Sequence, residues 1–211
     1  MGFIANKLMQ HTGYSYTPES GQFTKGAVMG AARATGVNVA DINNLSLADT
    51  ISDSRVNIAY AGSVDSTRDL GFFCNILANE ITCFDFSDIS NVSIADSIVD
   101  ADKFYFTRGV APDPATEIVY VAGRNPACFN AVDYSDPTNL SITSTLSTTY
   151  TGDLIVVDTA RDTAFMKTGG RLTSINIANP ASMSERATLA SSADMATAGG
   201  LAIDTTNNLV F

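Results

Sequence analysis

Carboxylates are the recurring residues with the capacity for chemistry. Asp65, Asp113, Asp158 and Asp204 each follow a short apolar run and open a polar stretch that ends in a second apolar run. The segments are Ser63–Phe73, Ala111–Tyr120, Val156–Phe165 and Ala202–Phe211. Paired acids can serve hydrolysis or ligate Ca2+. Asp side chains also hydrogen-bond to their own backbone in tight turns. The steps between these aspartates are 48, 45 and 46 residues. Such regularity favours the turn role, because a catalytic pair would break a repeat. No catalytic residue, resident cofactor or metal is expected, with Ca2+ at a loop the minor alternative.

Histidine chemistry is nearly excluded. The chain has 1 His, His11, so imidazole metal clusters and Ser-His triads lack their parts. Its 3 Cys make no disulfide framework. A hairpin turning at Ala78-Asn79 would set Cys74 opposite Cys83 in a non-hydrogen-bonded pair with Cα atoms about 4.5 Å apart. That separation lies at the short end of disulfide geometry. A bridge and two buried thiols both stand open, the thiols favoured. Arg124, Lys167 and Arg171 are basic residues on what should be equivalent loops of an acidic chain. They would either gather as one positive patch for a carboxylate or sulfated sugar or stay solvated singly, the second being the commoner outcome.

The elements that position these residues follow from the repeat. The chain has 211 residues, 45% hydrophobic and 16% charged, with a net charge of −10. That is enough apolar matter for a core, and the wrong sign for nucleic acid. No apolar run is long enough for a membrane-spanning helix. A second unit interleaves with the first, at Ala40–Asn44, Phe84–Asp88, Val132–Pro137 and Ile175–Pro180, anchored on Asp41, Asp85, Asp133 and Asn176. A further strand follows each, seen best in the pair Leu45–Ile51 and Val92–Ile98. Four strands per period of about 45 residues is the pattern of β-propeller blades.

In its apolar-Asp-apolar-Ser-Asp/Asn-Pro segments and the Asp before an aromatic-ending strand, the chain resembles the LVIVD/YVTN-like propeller repeats over roughly residues 37–211. The resemblance implies the fold and no particular activity. Three blades are contiguous, at about 55–98, 103–146 and 149–189. A fourth would pair 200–211 with 37–51, so the expectation is an all-β, four-bladed propeller closed by its N- and C-terminal strands in one shared blade. A piece of a larger ring and strand exchange between subunits are the alternatives. Glycines before the turn aspartates, Gly109 among them, suit innermost strands.

Residues 1–36 have no counterpart in the repeat and read as an N-terminal arm, with residues 26–34 as a short helix. The arm carries Lys7, Lys25 and Arg33 against Glu19, while the remainder has 9 basic and 21 acidic residues. Phe3, Ile4, Leu8, Met9, Tyr14, Tyr16 and Phe23 are its candidate anchors, either along its own propeller or, the preferred reading, on a second copy or a neighbouring structural protein. Low charge, abundant Ser, Thr and Asn and such an arm are similar in style to phage or viral particle components. The expected function is therefore a non-enzymatic structural subunit of a capsid-decoration, tail or fibre type. A glycan- or protein-binding propeller module is the alternative, and a carboxylate-dependent hydrolase the remote one. The first residues make a poor secretory signal, so the expected location is the virion, or otherwise the cytoplasm.

Overall fold

The computed structural model describes residues 25–30, 33–38, 46–53, 55, 59–196 and 199–211. Almost all regular structure in them is β-strand, in five antiparallel sheets. The N-terminal sheet holds β1 (Lys25–Gly30), β2 (Arg33–Asn38) and β3 (Ser46–Ser52). Blade one has β4 (Ala59–Asp65), β5 (Leu70–Asn75), β6 (Glu80–Asp85) and β7 (Ser93–Val99). Blade two has β8 (Gly109–Asp113), β9 (Ile118–Arg124), β10 (Ala127–Asp133) and β11 (Ser141–Ser147). Blade three has β12 (Leu154–Asp158), β13 (Thr163–Thr168), β14 (Arg171–Asn176) and β15 (Ser184–Ala190). The one-turn helix α1 (Ser192–Met195) then leads to a hairpin of β16 (Ile203–Asp204) and β17 (Leu209–Val210).

In each full blade the strands pair in chain order, and the first strands β4, β8 and β12 lie side by side, with β16 next to β12. Sheets that adjoin through their first strands fan outward from a common line, which makes a β-propeller. Middle strands have a blade on each face, so β5 and β9 are buried almost without alternation. The outer strand β11 alternates between exposed and half-buried. Phe72, Ile81 and Cys83 of blade one meet Val119, Val121 and Tyr134 of blade two. Tyr120, Phe129 and Ala131 of blade two meet Ile155, Met166 and Ile175 of blade three. Phe73, Phe84 and Phe86 face Ile51 of the N-terminal sheet. Burying each such side chain contributes about 1.5–3 kcal/mol, so the seams between blades hold the molecule together. Gly109 is needed at one seam, where an added Cβ would come within 2.9 Å of Ile155.

The chain's ends differ from expectation. Lys25–Gly30 and Arg33–Asn38, which begin inside the segment read as an arm with a helix, are strands that pair from Lys25↔Asn38 to Gly30↔Arg33. Asn38 faces Ser46 as Asp85 faces Ser93 and Asp133 faces Ser141. Asn38, and not Asp41, is therefore the counterpart of Asp85. Among the described residues β16 and β17 pair with each other, and β1, β2 and β3 form a sheet of their own in which β1 pairs with β2 and β2 with β3. The arm anchors Phe3, Ile4, Leu8, Met9, Tyr14, Tyr16 and Phe23, like His11, lie outside the described residues.

The cysteine register also changes. Cys74 pairs with Ile81, and Cys83 pairs with Phe72. The loop between β5 and β6 has four residues instead of two, because Asn75 Oδ1 accepts the N–H groups of Leu77 and Ala78. Asn79 closes it with φ 53°. Cys74, Cys83 and Cys128 are free and buried. Burial pushes the Cys83 thiol up to about 12 and the Cys74 thiol higher still, which removes them from nucleophilic chemistry.

Candidate functional site

The two ends of the propeller use their polar residues differently. At one end, each first strand closes on its turn aspartate. Asp65 Oδ1 accepts the N–H and hydroxyl of Thr67 at 2.9 and 2.6 Å, and its Oδ2 accepts the Tyr134 hydroxyl of blade two at 2.9 Å. Asp113 accepts the Ala115 N–H at 3.3 Å, the Thr116 hydroxyl at 3.0 Å and the Thr159 hydroxyl of blade three at 2.9 Å. Four residues on, Asp69, Glu117, Asp162 and Asn208 take φ of 54°, 56°, 47° and 60°. Asn and Asp tolerate that conformation best. Asp85, Asp88, Asp133 and Asp136 each accept the N–H two residues ahead. On outer strands, Asp49 and Asp96 accept the N–H groups of Val92 and Leu140 from the following blade at 2.8 and 2.7 Å. Asp65 and Asp113 are thus joints within and between blades, whereas Asp204 accepts only from its own turn and Asp158, paired with Arg161 at 2.6 Å, keeps a buried Oδ1 with no hydrogen-bond partner. Among the described residues no group of three or more His, Cys, Asp or Glu could hold a metal ion.

The opposite, connector end carries the loops β5–β6, β9–β10 and β13–β14 and the segments that lead from one blade to the next. Tyr60, Arg108 and Asp153 occupy one repeat position there, five residues before their turn aspartates. The Arg108 guanidinium stacks over the Tyr60 ring, 4.8 Å from its centroid. Arg108 Nη1 lies 3.9 Å, and Arg124 Nε 3.4 Å, from Asp153 Oδ1. Both distances exceed those of a good charged hydrogen bond. Asp153 Oδ1 and Arg108 Nε are buried atoms with no hydrogen-bond partner. Arg171 stacks over Tyr150 at 4.3 Å. Tyr60 and Tyr105 are 45% and 38% exposed, whereas Tyr120 and Tyr134 are fully buried.

The backbone beneath is tightly tied. The Arg124 N–H donates to the Tyr105 carbonyl at 3.0 Å, the Thr148 N–H to Ala127 at 3.1 Å, and the Asp153 N–H to Lys167 at 2.8 Å. Gly123 lets the Lys103 carbonyl approach; a Cβ there would lie 2.4 Å from that oxygen. Asn130 donates to the same carbonyl at 3.0 Å. At this end too, burial raises the carboxyl of Glu80 above its ordinary range, opposed by a Ser97 hydrogen bond and the Arg55 charge. Arg55 holds Asp53 down at about 2 through their hydrogen bond.

Of the expected ligand-loop residues, the structure places all three at this end and gives them different surroundings. Arg124 leans on Asp153, Arg171 rests on Tyr150, and Lys167 is buried. Sequence reasoning missed Tyr60, Arg108 and Asp153. Their signal was available: one repeat position filled by an aromatic, a cation and an anion in successive blades departs from the otherwise conservative pattern.

No protein-family model matches the sequence, and no curated protein matches it. Solved structures do. A Lactobacillus plantarum protein is 12% identical, with 79% of this chain covering 52% of that one at a TM-score of 0.64. A "putative 6-phosphogluconolactonase" from Bacteroides uniformis is 7% identical, with coverages of 85% and 55% and a TM-score of 0.69. Sqt1 of Chaetomium thermophilum is 14% identical, with coverages of 82% and 45% and a TM-score of 0.62. The chain spans about half the length of the solved structures it matches. At such identities the likeness is one of fold, and the fold is the β-propeller.

Proposed function

We propose that the chain is a non-catalytic propeller module that holds another macromolecule at its connector end. One observation carries this reading: Asp65 and Asp113 are consumed as joints, while among the described residues the tyrosines that reach solvent lie with Arg108, Arg124 and Arg171 at the other end. Tyr and Arg are the residues that dominate binding energy at protein interfaces. Incorporation into a larger particle is a finer version of this proposal. Its arm anchors are outside the described residues, and β1 and the start of β2 fall within that segment.

The enzymatic rival is lactone hydrolysis, the activity named for the Bacteroides uniformis neighbour. The test is 6-phosphogluconolactone hydrolysis followed by pH-stat. The expected rate equals the spontaneous one at every protein concentration. A rate that scales with protein and falls in Arg108→Ala would overturn the module reading.

A further inference from the structure

We infer that the connector end receives an acidic polypeptide segment, one of whose carboxylates displaces Asp153 from between Arg108 and Arg124. This rests on the module reading above.

Two features of the cluster lead there. Arg108 and Arg124 converge on one carboxylate oxygen at 3.9 and 3.4 Å, so Asp153 neutralises them without giving either a well-formed hydrogen bond. The unsatisfied Arg108 Nε and Asp153 Oδ1 mark the same defect from each side. An incoming carboxylate free to choose its position can accept two parallel N–H bonds from one guanidinium. The exchange keeps one anion near two cations and adds hydrogen bonds, which favours the visitor over Asp153.

The arginines are also prepared for it. The Arg108 guanidinium lies over Tyr60 and that of Arg171 over Tyr150, cation–π contacts that restrain both side chains. A guanidinium already restrained loses less freedom when it binds. Charge selects the partner's sign. Immediately around the site Arg108 and Arg124 face the single carboxylate of Asp153, although Asp53, Glu80 and Asp100 lie at the same end. A chain with net charge −10 repels an acidic segment at long range, so the contact depends on this one pair of arginines and weakens with salt. A polypeptide is favoured over a glycan because Arg108 and Arg171 already cover one face of the Tyr60 and Tyr150 rings. Sugars need ring faces, whereas side-chain carboxylates need guanidinium edges.

The probe is fluorescein-labelled octaglutamate, titrated by anisotropy at low and at physiological salt, beside an oligogalacturonide of equal charge. Octaglutamate should bind the parent and outcompete the oligogalacturonide. Arg108→Glu with Arg124→Glu should weaken it roughly tenfold or more, as loss of central interface arginines does. Asp153→Asn should tighten it about threefold, since a neutral amide competes less for the arginines. Thermal melts confirm that each variant is folded, and the Arg108→Ala, Arg124→Ala pair replaces the reversal if that one unfolds. Equal or tighter oligogalacturonide binding would assign the site to acidic glycans and overturn the inference. No octaglutamate binding, an unchanged affinity in the folded arginine variants, or an unchanged or weaker one in Asp153→Asn would overturn it as well. These failures leave the module reading standing, whereas a lactonase rate removes both.

Discussion

The two ends of the propeller are built from the same side-chain types and spend them in opposite ways. At the aspartate end, Asp65 and Asp113 are buried and each accepts bonds from its own turn and from the next blade. At the connector end, the Asp153 side chain is 23% exposed and holds two arginines without a hydrogen bond to its Oδ1. A carboxylate whose acceptor sites are filled by the chain contributes to the fold and has nothing left for a ligand. One whose partners are near but poorly aligned adds little stability and leaves those partners to be recruited. The difference separates structural from functional charge, which neither residue type nor repetition does alone.

Breaking the aspartate end should have the largest effect. Asp65→Ala orphans the buried Tyr134 hydroxyl and two donors on Thr67, and should cost about 2–3 kcal/mol in urea unfolding. Adding Tyr134→Phe should return part of that loss, because the orphan is then gone. A cost below about 0.5 kcal/mol, the range of ordinary surface substitutions, would mean the turn carboxylate is no joint.

Gly123→Ala sharpens the comparison from the other side. The connector end carries loosely paired charges on a tightly hydrogen-bonded backbone, so inserting a methyl 2.4 Å from the Lys103 carbonyl should destabilise by about 1–3 kcal/mol. A melting temperature equal to the parent's would show that the Lys103 segment yields, and that the support under Arg124 is soft.

Most of the blades could be read from the chain because one physical requirement repeats. Every first-to-second-strand turn needs an Asp and a left-handed residue four places on, and Asp65, Asp113, Asp158 and Asp204 fulfil it visibly. The ends could not be read in the same way. Residues 25–38 lack the bulky apolar signature of β5 and β6, and only hydrogen-bond register places β1 in second place. The cysteine register failed for a local reason: Asn75 caps a four-residue loop, a choice that hydrophobic alternation does not encode. At the candidate site the sequence named Arg124 and Arg171 from their loops, and missed that Arg108 and Asp153, from different blades, meet Arg124. That meeting depends on how first strands sit side by side, a property of the ring and not of any one repeat.

Glu80 gives a smaller effect with a defined sign. Its carboxyl is raised by burial, so ionising it costs more in the folded protein than in the unfolded chain. Below the unfolded value of 4.5 the group is protonated in both states and no penalty applies. As pH rises through the higher folded value, the penalty grows to its full size. Glu80→Gln should therefore melt above the parent near about pH 7 and level with it near about pH 4. A variant less stable than the parent at neutral pH would show that Arg55 and Ser97 outweigh the burial, and that this carboxylate belongs with the joints.

Arg124→Ala should change stability least. Its partner distance of 3.4 Å and one-third exposed side chain describe a pair of the kind that contributes about 0–1 kcal/mol. Removing it also relieves Arg108 of a neighbouring positive charge, which offsets part of even that. The melting temperature should stay within a few degrees of the parent's, at low and high salt alike. A loss as large as that of Asp65→Ala would erase the distinction between the two ends, because Arg124 would then hold the connectors against blade two as the aspartates hold their turns. A near-zero loss in stability, set beside a roughly tenfold loss of octaglutamate binding when its charge and that of Arg108 are reversed, would leave recognition as the one role that accounts for its place.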